Sequence, residues 1–115
     1  MAITQADRMA ILYQGIPSST SPVLLATVGA NQVNVKNVVS FSNLSSSVSA
    51  TAIVYLVPPS QSPANEYVYL PATLIPAGVA LDVLIPHDLE DGWMVYVEVS
   101  QINQVTVMYS AKVVS

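Results

Sequence analysis

Apolar residues recur at every second position along much of this chain. Val79, Leu81, Val83 and Ile85 alternate with Ala80, Asp82 and Leu84, and Val95, Val97 and Val99 alternate with Met94, Tyr96 and Glu98. Val33, Val35, Val39 and Phe41 read as one phase set against Asn34, Lys36, Ser40 and Ser42. A period of two places one set inside and the other outside a pleated sheet. Prolines at 17, 22, 58, 59, 63, 71, 76 and 86 leave only 23–57 and 87–115 long enough for large helices. Both stretches are instead dense in Val, Thr, Ile and Tyr, which suit a pleated surface. The pattern predicts strands over 9–14, 23–28, 32–43, 49–57, 66–70, 79–85, 93–101 and 104–114. Strands set about 8–14 residues apart, with Gly, Pro and Ser between them, have the rhythm of a sandwich rather than of a βαβ fold. The expected fold is all-β: a single antiparallel β-sandwich of about eight strands over residues 9–115, with Greek-key or jelly-roll connections.

The punctuation between strands is specific in places. Leu89-Glu90-Asp91-Gly92 reads as a turn whose glycine supplies a positive φ before a strand. Asn43 to Ser47 reads as a Ser-rich hairpin loop, Asn103 marks a last hairpin, and the Pro58–Asn65 cluster an exposed loop. Residues 1–8 are expected to form an N-terminal arm, either irregular or one helical turn capped by Thr4 with Asp7 three residues on. The segment Ala52-Ile53-Val54-Tyr55-Leu56-Val57 is apolar on both faces, although a two-layer sandwich buries only one. Either a neighbouring subunit covers the second face, or Tyr55 packs at the sandwich edge.

Composition sharpens the functional expectation. Only 9% of the 115 residues are charged and 52% are hydrophobic, where ordinary soluble domains carry about 25% charged residues. Polarity must come from Ser, Thr, Asn and Gln, which cost little to desolvate, so the chain is expected to work covered by partners. The three basic residues, Arg8, Lys36 and Lys112, are scattered in a chain of net charge −4, which argues against nucleic acid and against anionic membranes as partners. No uninterrupted apolar stretch of about 20 residues and no secretory signal is visible, so the chain reads as soluble. With no cysteine, thiolate chemistry and disulfides are absent.

Candidate chemistry is sparse. His87, Asp88, Glu90 and Asp91 form the one cluster of metal-capable groups, but it lacks calcium-loop spacing and reads as a solvated turn. The single histidine has no Gly-x-Ser-x-Gly elbow to serve, and no Gly-rich phosphate loop is present. No catalytic, metal or cofactor-binding residue is expected, and the chain is read as non-enzymatic. Tyr55, Tyr67, Tyr69 and Trp93 are the candidate interface residues, with Tyr67 and Tyr69 on one face of their strand, opposite Val68 and Leu70. Aromatics can stack on sugars, yet cross-strand packing or a subunit interface, where Tyr is enriched, is the favoured reading. Asn43-Leu44-Ser45 matches a glycosylation acceptor, but so short a match without a secretory signal is discounted.

The order of these signals resembles a known group. A long strand ends in Asn43-Leu44-Ser45, and the next ends in Tyr55-Leu56-Val57-Pro58-Pro59 before a Ser/Pro/Ala/Asn loop. An apolar strand, Pro76-Ala77-Gly78, a Leu-rich strand, Leu89-Glu90-Asp91-Gly92 and two Val-rich strands follow. Over residues 30–115 this resembles the small β-sandwich virion proteins of tailed bacteriophages, which decorate capsids or sit at the neck, tail or fibres. It departs from them at Trp93-Met94, where such proteins often place a polar residue. The resemblance implies a virion location and a structural role, most simply capsid decoration or cementing. It also implies the major capsid protein or other virion proteins as partners, and a homo-oligomer such as a trimer. Edge-strand pairing or docking of the 1–8 arm would be the means. A neck, tail or fibre component and a glycan- or receptor-binding module are the alternatives.

Overall fold

The computed structural model describes residues 9–115; the expected arm and its Thr4 cap lie outside the described residues. Nine strands form: β1 (Met9–Gly15), β2 (Val23–Thr27), β3 (Val33–Asn43), β4 (Ala50–Val57), β5 (Val68–Ile75), β6 (Ala80–Ile85), β7 (Leu89–Glu90), β8 (Met94–Val99) and β9 (Val105–Val114). They make two antiparallel sheets. Sheet A runs β1-β9-β3-β6, with short β7 also on β3, and sheet B runs β2-β8-β4-β5. The pairs β1/β9, β2/β8, β3/β6 and β4/β5 nest inside one another along the chain. The chain is therefore one long hairpin with its apex at the β4–β5 connection, rolled so that successive nested pairs fall in alternate sheets. That is jelly-roll connectivity, which decides between the two connections the sequence left open.

Between the sheets the alternating residues meet. Sheet A contributes Val39, Phe41, Val83, Ile85, Val107 and Tyr109, and sheet B contributes Leu25, Ala52, Val54, Ile75, Val97 and Val99. The small Val and Ala side chains let two sheets of β-branched residues interdigitate closely.

Four sequence expectations are corrected. First, Val33 and Val35 do not share a phase with Val39 and Phe41: Asn34, Asn37, Val39, Phe41 and Asn43 are the buried positions of β3. Lys36 sits at φ 54° where the β3/β9 register slips between Val35 and Val38. This β-bulge inserts one residue and flips the inward set. Second, β5 continues through Pro71 to Ile75. The strand lies at the edge of sheet B, and the β4/β5 register slips between Ala52 and Val54, absorbing a residue that cannot donate to the ladder. Third, residues Asn65–Tyr67 form a 3-10 turn, so Tyr67 and Tyr69 do not share a strand face. Fourth, the loops after Asn43 and around Asn103 are not hairpins, because each carries the chain from one sheet to the other. Gly92 does have φ 82°, in a turn closed by the Trp93 amide donating to the Glu90 carbonyl. A Cβ there would also lie 2.9 Å from the Pro59 ring.

Two of the buried polar residues, Asn34 and Asn37, are organised around the β3 bulge. The Asn37 Nδ2 donates to the carbonyls of Asn34 (2.9 Å) and His87 (3.0 Å), closing the bulge and fixing the connection between β6 and β7. Tyr109 donates its hydroxyl hydrogen to Asn37 Oδ1, and Asn34 Nδ2 donates to the Tyr109 hydroxyl. Burial pushes the Tyr109 hydroxyl above its ordinary pKa, offset in part by the Asn34 donor.

Candidate functional site

The four aromatic candidates do not make one platform. Tyr55 pairs with Tyr96 across β4 and β8 and lies outside the central core cluster, although it is only 7% exposed. Its hydroxyl donates to Glu98 Oε1 at 2.8 Å, and both burial and the carboxylate raise its pKa. The chain itself thus covers the second apolar face of β4 at Tyr55, without a neighbour. Tyr69 packs on the core, donates to the Leu84 carbonyl on β6 at 3.2 Å, and meets the His87 ring edge-on, with centroids 6.0 Å apart. Tyr67 is half-buried in its 3-10 turn. Trp93, directly after Gly92, packs against the core and lines a cleft of about 460 Å³ with Leu56, His87, Asp88, Leu89 and Glu90. His87 thus stands against Tyr69 and lines the same cleft as Trp93, while Tyr55 is not part of that group. Among the described residues, no three His, Asp or Glu side chains converge as metal ligands would.

A second feature escaped the sequence reading because it exists only once the strand ends are known. Four connections share one end of the sandwich: residues 16–22, 44–49, 76–79 and 100–104. They contain no Asp, Glu, Lys, Arg or His. They expose Ile16, Leu44, Val48, Val79 and Ile102, each between 43% and 60% accessible. The opposite end carries His87, Asp88, Glu90 and Asp91 in the connection to β8 and Glu66 in the connection to β5.

Asn43 holds the uncharged end together. Its amide donates to the carbonyls of Val48 and Ile75, both at 2.9 Å, and its Oδ1 accepts from the Ser45 amide and from Gln104 Nε2. Its backbone N–H donates to Val79 O and its carbonyl accepts from the Gly78 amide. Gln104 Nε2 also donates to Val48 O at 2.8 Å, and the Asn103 amide donates to Pro17 O. All four connections are tied by these bonds, so the exposed aliphatic side chains stand on an ordered base. Being 2% exposed and fully engaged, the Asn43 amide is also closed to glycosylation in the folded chain.

The sheet edges are blunted by the chain's own devices, which weakens the expected route of edge-strand pairing. The registers of β1 and β2 slip opposite β9 and β8, β5 carries Pro71, and the Tyr69 hydroxyl occupies the Leu84 carbonyl of β6. Fold and surface together define a jelly-roll β-sandwich with one end of uncharged, aliphatic connections. The opposite end gathers Glu66, Asp88, Glu90 and Asp91, with Lys36 and Lys112 in the strands leading to it. Comparison with protein-family models, with curated proteins and with solved structures finds no match to this chain.

Proposed function

We propose that this chain is a non-enzymatic structural protein of a virion, decorating or cementing a bacteriophage capsid by burying weakly charged surface against neighbouring proteins. The observation that carries the reading is the uncharged end, where five exposed aliphatic side chains sit on four connections without an ionisable group. Covering it desolvates no charge, so the apolar gain is not spent on stripping water from ions. The outer face of sheet A offers a second surface, with exposed Met9, Ile11 and Leu84 flanking half-buried Val35 and Val38. Several contact surfaces on one small domain suit a component that bridges neighbours in a shell. Jelly rolls serve in virion proteins and in lectins alike, so the reading rests on this surface and not on the fold.

The test is the copy number of this chain in purified particles, by quantitative peptide mass spectrometry against the major shell protein. A simple ratio to that protein supports decoration of the capsid. A few copies per particle moves the chain to the neck, tail or fibres, and complete absence overturns the virion reading. The cleft beside Trp93 favours one other reading, a glycan-binding module. Trp93 is the only tryptophan, so a saturable change in its fluorescence on titration with glycans from the host surface would support that reading instead.

A further inference from the structure

We infer that the cleft beside Trp93 binds a neutral sugar and rejects anionic ones. The inference rests on the glycan-binding reading of this cleft and names the class of sugar. The cleft and the aliphatic connections lie at opposite ends of the sandwich, so a partner on the aliphatic end leaves the cleft open.

The walls set two demands on a ligand. Trp93, Leu56 and Leu89 offer apolar surface, and the Trp93 indole, half-buried against the core, presents a rigid ring. His87, Asp88 and Glu90 line the same space with exposed polar side chains. A carboxylate accepts hydrogen bonds and donates none, while the imidazole adds a donor. An apolar ligand would strip water from both carboxylates without replacing its bonds. A cation would leave the imidazole donor unused, and its pairing with exposed carboxylates is worth little in water. A sugar ring meets both demands: its C–H face lies on the indole, and its rim of hydroxyls donates to carboxylates and accepts from imidazole. The cleft's volume of about 460 Å³ falls within the range of about 300–1,000 Å³ usual for small-ligand sites.

These walls are fixed before a ligand arrives, which lowers the ordering cost of binding. Asn37 holds the His87 carbonyl at 3.0 Å, and the His87 ring meets Tyr69, itself anchored by its hydroxyl on the Leu84 carbonyl. Glu90 pairs with Val33 of β3, and its carbonyl accepts from the Trp93 amide, while the Trp93 carbonyl takes the Val28 amide at 2.9 Å. Charge then decides among sugars. Asp88 and Glu90 line the cleft; Asp91, whose Oδ2 accepts from the Asn31 amide at 3.3 Å, and Glu66 lie at the same end without lining it. Among the described residues the lysines are Lys36, on the β3 bulge beside Asn37, and Lys112, opposite Val35. Both stand in strands leading to this end, and neither lines the cleft. A uronate or sialyl carboxylate placed there would face two carboxylates and no ammonium.

The experiment is titration of the purified full chain with sugar at about 1–10 mM, where weak single-site binding is populated, read by Trp93 fluorescence and by calorimetry. The probes are neutral trisaccharides of glucose, galactose, mannose and N-acetylglucosamine, each paired with a counterpart whose terminal unit is glucuronate. At least one neutral probe should bind saturably, and its glucuronate counterpart at least about 10-fold more weakly at low salt. Added salt should narrow that gap. Asp88→Asn/Glu90→Gln should bring the two probes to parity, because the amides still accept but carry no charge. Trp93→Ala, followed by calorimetry, should weaken binding at least about 10-fold, and Ile102→Ser at the other end should match the wild type. If Trp93→Ala fails to fold, the exposed Asp88/Glu90 pair carries the test. A glucuronate probe bound as tightly as its neutral counterpart overturns the inference and leaves the glycan reading standing. Binding unchanged in Trp93→Ala, or a glucuronate gap unchanged in the Asp88/Glu90 pair, places the sugar elsewhere and overturns the inference. No response to any sugar overturns both, as does a response confined to trilysine, which would mark the cleft as a site for cationic side chains.

Discussion

Asn43 places both backbone groups and both ends of its side-chain amide in bonds to four other segments of the chain. Asn43→Ala would leave the Ile75 carbonyl without this donor and take one of its two acceptors from the Gln104 amide, and should cost about 3 kcal/mol in a urea titration followed by Trp93. Locally Asn43 reads only as a polar residue opening a turn, because partners such as Ile75 and Gln104 lie 32 and 61 residues away. Tyr109 has a pH signature. Burial holds its hydroxyl above the ordinary value of 10.0 in the folded chain. As pH climbs past about 10, the unfolded chain loses this proton first, so the stability contribution present below that pH is lost progressively above it. Tyr109→Phe should flatten this alkaline decline. It should also cost about 1–3 kcal/mol near neutrality, because Asn37 Oδ1 loses its donor in a buried site. Urea midpoints measured on both sides of pH 10 check both effects.

At the scale of the element, β8 was legible almost residue by residue, since its apolar positions alternate without interruption over one buried face. Strand β6 was nearly so, with Val83 and Ile85 buried, Leu81 half-buried and Val79 left exposed before the strand. Strand β5 was set too early and too short, because Asn65–Tyr67 form a 3-10 turn and an edge strand tolerates Pro71. Strand β3 was placed correctly but misread inside, because of a bulge. A bulge leaves composition unchanged and shifts phase, so Val33 and Val35 look continuous with Val39 when they point the other way. Its marker is backbone geometry at Lys36, a residue type that gives no hint of a left-handed position. Lys36→Val should destabilise the fold by about 1–3 kcal/mol, because a β-branched residue at φ 54° is strained, whereas Lys36→Gly should be tolerated. Thermal melting of the two variants distinguishes them. An equal effect of both would mean that loss of the lysine side chain, and not backbone strain, matters at this position.

For the whole molecule, the low charge content foretold a surface that is cheap to cover, but not which surface. That depended on the nesting of β1/β9, β2/β8, β3/β6 and β4/β5, which brings four sequence-distant uncharged connections to one end and the acidic connections to the other. The aromatic residues drew attention in the sequence because they are large and few. In the fold Tyr55 and Tyr69 are committed largely to intramolecular bonds, and the exposed aliphatic residues of the loops form the surface proposed for interaction. The measurement that bears most directly on the central claim is hydroxyl-radical footprinting of this chain in assembled particles against the purified chain diluted to its free form. Labelling at Leu44, Val48 and Ile102 should fall several-fold on assembly, while His87 and Trp93 keep their reactivity. Equal labelling of Leu44, Val48 and Ile102 in both states, or protection confined to His87 and Trp93, would contradict it.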